Sequence, residues 1–417
     1  MDEKVLRIAV VSDLHFVEES KSSGHMSWLA FNESKKFHSG LWAALLKKIS
    51  SDNLEADILL CPGDITTHAN KSGLEVAWEK LQELSDCLKC ELLAVATGNH
   101  DVESRGIDQL DNPIRELDSY TDLIENLKIL SPPYPLKINS ESCTKTTHER
   151  RVFYFGSDYL LYDENDDYRL VIFNSCARHN QLKKEYERGR IANSTLNWLE
   201  EHLKSIHDKK NLKPSIFLCH HHPIPHSIKG LSQYDTMYGG ESLINMLSKY
   251  GNWIIIHGHK HHATLKYTYG GSKRIPVFAA GTLSAHKDSL GEEFNNQIYI
   301  IELNIEKCRG PLKGKVNAWS WKGNHWAISK SQLDGIYTGV GFGFTGTLEK
   351  IAQDIQNIVP PVGSIDWDKV VSKIPDLSYL MPMDFEHLKE ELEVLNIDMD
   401  INSDSELVSL SRIGGLS

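Results

Sequence analysis

Five apolar runs of the sequence each end in side chains that can bind a metal ion. These side chains are carboxylates, imidazoles and one amide, and they belong to Asp13, His15, Asp64, Asn99, His220–His222, His259 and His261. The runs are continuous rather than alternating, which predicts strands that are buried on both faces. In open α/β sheets, ligand sites form beyond the carboxyl ends of strands, so residues far apart in sequence can meet there. We therefore predict one polar site built from several strand ends.

The residue types suit two divalent metal ions held side by side. Carboxylates, imidazoles and one amide oxygen fit Mn, Fe, Zn or Co, and the lack of a thiolate in the set argues against a structural zinc site. In the D-x-H pair of Asp13 and His15, alternate positions of a strand end can grip one ion, and the Asp64 carboxylate can bridge both ions. The set leaves room on the ions for water and substrate.

Two adjacent cations would accelerate phosphoester hydrolysis. A water that bridges them loses a proton near neutral pH, and the same ions neutralise the phosphate and orient it for in-line attack. In the turn "TGNHD", Gly98 makes the turn and Asn99 binds metal, so His100 is left to donate a proton to the leaving oxygen. Asp101 is the residue that we expect to orient the His100 ring and to raise its pKa.

Each motif alone has an ordinary structural explanation. Gly-Asn is good turn chemistry, Asp can cap a helix, and a lone D-x-H is more often structural than catalytic. The blocks taken together, each at a strand end, favour a metal site. A further group of histidines lies close to the blocks in sequence, where supporting or substrate-binding roles and purely structural roles are equally open: His68, His222, His226, His257, His262 and His286.

Strand-like and helical segments alternate through most of the chain, which predicts an α/β fold with substantial parallel pairing. Later strands follow one another without helices, so we expect a second sheet with antiparallel pairing. We assign residues 1–330 to a catalytic domain and residues 331–417 to a small, mainly helical C-terminal extension. The amphipathic helices of the extension either dock on the catalytic domain or form a partner or oligomer surface. The tail from Asp398 is predicted to be frayed.

The composition argues against several classes of protein. The chain is 40% hydrophobic and 24% charged, as in ordinary soluble enzymes, and its net charge of -12 disfavours a general affinity for nucleic-acid backbones. The acidic N-terminus is unlike a signal peptide, and no run is long enough to span a bilayer. The seven Cys are odd in number and scattered, which is untypical of a disulfide framework. We expect a cytoplasmic protein without membrane association.

The blocks resemble those of the calcineurin-like metallophosphoesterase superfamily. Its pattern of D-x-H, G-D, G-N-H-(D/E), H and G-H-x-H stands here as "DLH", "GD", "GNHD", "HHHP" and "GHKH", over about residues 5–305. The resemblance implies a four-layer fold of two packed mixed sheets flanked by helices, and a dinuclear metal centre.

The resemblance also implies which residues hold which ion. One ion would be held by Asp13, His15, Asp64 and His261, and the other by Asp64, Asn99, a histidine of the fourth block and His259. Members with an H-H-P block use the histidine two places before Pro. This rule selects His221 over His220 here.

The wording of the blocks is most similar to the cyclic-nucleotide and glycerophosphodiester phosphodiesterase branch. We therefore predict a phosphodiesterase that acts on a small nucleotide or another diester. A DNA or RNA nuclease and a phosphomonoesterase are alternatives that would use the same centre. A scaffold that keeps the fold without turnover, similar to the retromer subunit, is disfavoured because such scaffolds tend to lose ligands and all five blocks are intact here.

Overall fold

A computed structural model describes residues 4–21, 27–103, 124–142, 144–179, 187–208, 212–225, 236–286, 295–306 and 310–413. The strands in chain order are β1 (Val5–Val10), β2 (Val17–Glu18), β3 (Ala30–Phe31), β4 (Ile58–Cys61), β5 (Leu92–Val95), β6 (Leu136–Ile138), β7 (Tyr159–Tyr162), β8 (Arg169–Phe173), β9 (Pro214–Leu218), β10 (Asn252–His257), β11 (Thr264–Gly270), β12 (Lys273–Ala279), β13 (Gln297–Asn304), β14 (Gly314–Trp321), β15 (Trp326–Ile328), β16 (Val340–Phe342), β17 (Ser364–Asp366), β18 (Ile397–Ile401) and β19 (Leu407–Arg412). The α-helices are α1 (Leu41–Asp52), α2 (Lys71–Cys87), α3 (Glu125–Lys128), α4 (Lys145–Ser157), α5 (Asn193–Ile206), α6 (Gly240–Lys249), α7 (Leu348–Ile358), α8 (Trp367–Lys373) and α9 (Pro382–Val394).

Two mixed sheets form the centre of the fold. The first has the order β15-β14-β13-β1-β4-β5-β6, with β16 also paired to β14. In it β1, β4 and β5 are parallel, and β13 and β6 run antiparallel to their neighbours. The second sheet has the order β11-β12-β10-β9-β8-β7, with antiparallel edge strands around a parallel middle. The predicted α/β fold with two mixed sheets is therefore confirmed.

Side-chain alternation along the second sheet explains how the layers pack. Ile172, Leu218 and Ile256 join the large core that contains the apolar side chains of the first sheet. Their neighbours Val171, Phe217 and Ile255 lie in a separate core with residues of α5 and α6, among them Leu199, Leu203, Leu243 and Leu247. Because successive strand residues point to opposite faces, a continuous apolar run covers both faces of the sheet. The helices α1 and α2 pack on the first sheet through Leu45, Ile49, Leu74, Trp78 and Leu81.

The C-terminal part is less purely helical than predicted. The helices α7, α8 and α9 are accompanied by an antiparallel sheet of order β17-β19-β18. Part of the tail that we expected to be frayed forms β18 and β19, where Met399 pairs with Leu410 and both side chains are buried. The buried side chains alternate with outward aspartates, Asp398 and Asp400. This alternation is typical of a strand with one buried face, but the acidic residues made the segment resemble an exposed tail.

Backbone and side-chain contacts tie the C-terminal part to both sheets. β16 pairs with β14, so residues 340–342 extend the first sheet beyond residue 330. The Gly341 amide donates to the Leu380 carbonyl at 2.8 Å, and the Gly343 amide donates to the Tyr267 hydroxyl at 2.7 Å. The apolar side chains of α7 and α9 belong to the same core as the first sheet. These contacts support the prediction that the C-terminal helices dock on the catalytic domain.

Candidate metal centre

The predicted ligands lie in short turns that follow β1, β4, β5, β9 and β10. Several of them have left-handed backbone conformations, with φ values of 51° at Asp13, 47° at His15, 52° at Asp64, 86° at His259 and 62° at His261. In a residue other than glycine, this backbone conformation costs about 1–3 kcal/mol. The conformation therefore persists only where the surrounding structure enforces it. Five of the thirteen non-glycine residues with positive φ in the described part of the chain are candidate ligands, in the turns that aim their side chains at one point.

The first group of ligands joins the turn after β1 to the turn after β10. The Nε2 atoms of His15 and His261 lie 3.1 Å apart. The Oδ1 atom of Asp13 lies 3.4 Å from Nε2 of His261. Asp13, His15 and His261 each offer a ligand atom within 4.8 Å of the others. All three were predicted to hold one ion.

The second group is built around the amide oxygen of Asn99. This Oδ1 atom lies 3.0 Å from Nε2 of His220 and 3.1 Å from Nδ1 of His259, and the two nitrogens lie 3.2 Å apart. Nε2 of His220 also lies 3.3 Å from Oδ2 of Asp64. Because Asp13, Asp64 and His220 have ligand atoms within 4.8 Å of one another, the two groups are contiguous.

The histidine of the fourth block is the point at which the geometry departs from the sequence prediction. His220, and not His221, contacts Asn99 and Asp64, and its Nδ1 lies 3.1 Å from the carbonyl oxygen of Pro62. His221 places Nδ1 2.8 Å from Oγ of Ser175. These contacts favour His220 for the second ion, while His221 also offers a ligand atom within 4.8 Å of those of His220 and His259.

The buried carboxylates and imidazoles of the centre shift one another's pKa values. Burial opposes the charged form of His220, but the carboxylates of Asp64 and Asp13 outweigh it and raise the pKa of the ring to about 9. Burial would raise the pKa of Asp64, but His220 and His100 hold it well below its usual range. Burial and the neighbouring imidazoles of His221 and His220 lower the pKa of His259, which keeps it in the neutral form that binds metal.

The donor set fits two divalent ions. Acceptor atoms are crowded together in it: two ring nitrogens 3.1 Å apart in the first group, and an amide oxygen with two ring nitrogens within 3.2 Å in the second. Such atoms repel or need shared protons unless a cation lies between them. When bound, a pair of divalent ions supplies an activated water and neutralises phosphate charge.

The predicted proton donor, His100, lies against the first group. Its ring centroid is 5.0 Å from that of His15, and its Nδ1 is 3.2 Å from Oγ1 of Thr67. Its backbone amide donates to Oδ1 of Asp64 at 2.7 Å. The ring of His68 stacks on it with an interplanar angle of 4°. A supporting role of His68 was one of the two interpretations left open by the sequence, whereas the contact of Thr67 carried no sequence signal because Thr67 stands in no recognisable motif.

Asp101, which was predicted to orient the His100 ring, contacts the backbone of two ligand-bearing turns. Its carboxylate accepts hydrogen bonds from the backbone amides of Gly98 at 2.8 Å, Asp64 at 3.0 Å and Thr66 at 3.1 Å. Burial and the charge of Asp64 raise its pKa to about 8. Asp101 therefore fastens two ligand-bearing turns to each other, and its contacts lie with the backbone instead of the His100 ring.

The other histidines near the blocks are dispersed. The rings of His222 and His257 pack with centroids 4.2 Å apart, and the ring of His222 lies 6.2 Å from that of His259. His286 stacks on Trp28 at 4.1 Å. His262 is half-buried, and His226 lies outside the described residues. His68 is the member of this group whose ring stacks on the predicted proton donor, His100.

Gly98 is required by the close approach of two turns. A Cβ atom at this position would collide with the backbone nitrogen and Oδ1 of Asp64. We expect Gly98→Ala to displace Asp64 and to lower the affinity for manganese at least about tenfold, by analogy with the loss of supporting contacts at metal sites. Competition with a chelating dye measures this affinity. Gly40→Ala is the matched control, since no atom lies within 4 Å of its Cβ position; equal affinities of the two variants would refute the steric argument.

The fold and the site together define a class of protein: a two-sheet α/β enzyme with a candidate dinuclear centre at the strand ends. A model of the calcineurin-like phosphoesterase family matches residues 6–263. The chain belongs to this family. A second family model, wHTH-Calcineurin_assc, matches residues 340–393. The matched residues span β16, α7, β17, α8 and nearly all of α9.

Solved structures resemble the chain at low sequence identity. The protein TT1561 of Thermus thermophilus is 13% identical, with a TM-score of 0.34 over 72% of this chain and 95% of that one. Phosphopantetheinyl hydrolase from Mycobacterium tuberculosis is 12% identical, with a TM-score of 0.32 over 67% of this chain and 90% of that one. A metallophosphoesterase from Sphaerobacter thermophilus is 14% identical, with a TM-score of 0.26 over 72% and 84%. No curated protein matches the sequence.

Among the described residues, none of the helices is both long and apolar enough to cross a bilayer.

Proposed function

We propose that the protein is a phosphodiesterase that uses two divalent ions to hydrolyse a small nucleotide or another diester. The observation that carries the proposal is the contiguity of the two ligand groups through Asp13, Asp64 and His220, with the His100 ring beside the first group. A pair of divalent ions bound side by side would activate a water and stabilise the charge of a phosphoryl group. The particular metal is a matter of availability as well as of ligands, and manganese, iron, zinc and cobalt all suit this set.

The chain's own residues would divide the work as follows. Asp13, His15, Asp64 and His261 would hold one ion, and Asp64, Asn99, His220 and His259 the other. His100 would donate a proton to the leaving oxygen. Thr67 and His68 would fix the His100 ring in position through the hydroxyl contact and the stack. Asp101 would keep the turns after β4 and β5 together.

The exposed face of α9 in the C-terminal part argues against the nuclease alternative. In winged helix-turn-helix proteins that read DNA, the recognition helix enters the groove, and phosphate contacts come from basic side chains. The corresponding helix here is α9, whose exposed residues include Glu386, Glu390 and Glu393. This acidic face would be repelled by a phosphate backbone. It supports a small diester over a nucleic acid as the substrate, and it makes a protein surface the more suitable partner for α9.

Diester preference is tested with chromogenic substrates. We expect manganese-loaded protein to hydrolyse bis-p-nitrophenyl phosphate faster than p-nitrophenyl phosphate, because a diester carries one negative charge fewer at the attacked phosphorus. Both rates are followed by p-nitrophenolate absorbance, with chelator-treated protein as the control. A clear monoester preference would contradict the phosphodiesterase proposal and favour a phosphatase. Salt-dependent binding of oligonucleotides would favour the nuclease.

A further inference from the structure

A second cluster of metal-binding side chains lies beside the centre, and its member His221 also has a ligand atom within 4.8 Å of those of His220 and His259. Cys176, His179 and His221 each place one ligand atom within 4.8 Å of the others. All three residues are buried, with exposures of 0%, 4% and 0%. None of them belongs to the set assigned to the two ions above. The cluster differs from the centre in its chemistry, because it contains a sulfur ligand and lacks a carboxylate.

The sequence after β8 builds one half of the cluster. In "NSCARH", the side chain of Asn174 accepts a hydrogen bond from the Cys176 amide at 3.1 Å. The His179 amide then donates to the Cys176 carbonyl at 2.9 Å and closes a tight turn. This turn holds the side chains of a C-x-x-H pair close together. Spacings of two to four residues between ligands are usual in zinc sites.

The turn after β9 supplies the other half. The ring of His221 lies with its centroid 5.2 Å from that of His179, and its Nδ1 lies 2.8 Å from Oγ of Ser175. Gly189 lies so close to this ring that a Cβ there would collide with it. His221 is therefore fixed in place on two sides. Consecutive histidines in the "HHHP" block thus serve different places: His220 faces the dinuclear centre, and His221 faces the cysteine.

We propose that Cys176, His179 and His221 form an additional metal site that binds zinc or a similarly soft divalent ion. One thiolate and two imidazoles suit zinc or cobalt better than manganese or magnesium, which prefer oxygen ligands. Three protein ligands would leave one tetrahedral position for water. The Cys176 thiol donates to the Thr97 carbonyl at 3.2 Å, and ion binding would break this contact and release the thiol proton to solvent.

The additional site has a structural consequence for the centre. The His221 and His259 rings have centroids 4.5 Å apart, and Thr97 directly precedes the turn that carries Asn99. An ion held by Cys176, His179 and His221 would link the turns after β8 and β9 next to the second ligand group. We expect it to stabilise this side of the centre without taking part in proton transfer.

Cobalt loading tests the site directly. Co²⁺ bound to a thiolate gives a charge-transfer absorption in the near ultraviolet, whereas cobalt held by nitrogen and oxygen ligands alone does not. We expect metal-depleted protein titrated with Co²⁺ to develop this band and to bind one ion more than the dinuclear centre holds. Diester hydrolysis is measured on the same samples, so failure of the phosphodiesterase proposal and failure of the additional site can be told apart.

Substitutions assign the band to its ligand. Cys176→Ser should remove the band and one bound ion, and His179→Ala should weaken the same binding event. Cys87→Ser, a half-buried cysteine on α2, is the matched control and should retain the band. Full cobalt loading of the unsubstituted protein without the band would overturn the proposal, and so would a band that persists in Cys176→Ser. The test on the unsubstituted protein does not depend on whether any variant folds.

Discussion

Replacement of Asp64 by alanine should reduce phosphoester hydrolysis by at least about 10³-fold. Asp64 lies between the second ligand group and the proposed proton donor. Its Oδ2 lies 3.3 Å from Nε2 of His220, and its Oδ1 accepts a hydrogen bond from the backbone amide of His100 at 2.7 Å. Loss of a shared ligand removes several kcal/mol of charge stabilisation in the transition state, and about 4 kcal/mol corresponds to that factor. Steady-state rates on the diester in saturating manganese measure the effect.

A surface aspartate provides the control for this change. Asp398 on β18 is exposed, and Asp398→Ala should leave the rate within about twofold, since surface substitutions rarely matter. Circular dichroism and thermal unfolding would establish that the Asp64 variant folds. A folded Asp64→Ala protein that retained more than a tenth of the activity would show that the reaction does not depend on these ligands.

Replacement of His100 by alanine should have an effect that depends on the leaving group. A general acid contributes about 10²–10⁴-fold when the leaving oxygen needs a proton. With p-nitrophenolate, which leaves without one, the loss should be small. With a diester that releases an alkoxide, such as a cyclic nucleotide or a methyl ester, the loss should be near the full range. The measurement is kcat for both kinds of diester in the variant and the parent protein.

The contrast between the two substrates separates proton donation from positioning. If His100 only bound the phosphate or supported His15, both substrates would slow equally, and that result would exclude it as the acid. His325→Ala is the matched control, because His325 is exposed in the β14–β15 turn and should show no leaving-group dependence.

The fold was largely predictable because most central strands correspond to continuous apolar runs in the sequence. The parallel strands β4, β9 and β10 are buried along almost their whole length, and each contains at least three consecutive apolar residues. The C-terminal hairpin was not predictable in this way. In β18 only one face is buried, and its outward aspartates resemble those of an exposed tail.

The candidate site was predictable at the level of blocks but not of individual contacts. A strand end presents consecutive side chains in opposite directions, so a shift of one residue decides which histidine enters the centre. The backbone of Cys219 still pairs with Ile256, and this pairing sets His220 toward Asn99. The rule based on distance to Pro carries no information about that pairing, and its choice of His221 stays a prediction.

Asp101 illustrates a second limit of reading neighbours in sequence as partners. The Asp101 amide donates to the Gly98 carbonyl at 3.2 Å, and this closes a turn. The turn directs the carboxylate back to the amides of Gly98, Asp64 and Thr66. Backbone geometry of this kind depends on contacts between distant segments, here the approach of the turns after β4 and β5.

The central claim is that the strand ends hold two divalent ions side by side and that these ions support diester hydrolysis. Electron paramagnetic resonance of manganese-loaded protein tests it most directly, together with the hydrolysis rate of bis-p-nitrophenyl phosphate on the same samples. We predict the multiline signal of two exchange-coupled Mn²⁺ ions, increasing in parallel with activity and disappearing in Asp64→Ala. A fully loaded protein that shows the six-line signal of isolated Mn²⁺ ions, no multiline signal and no diester hydrolysis would contradict this claim.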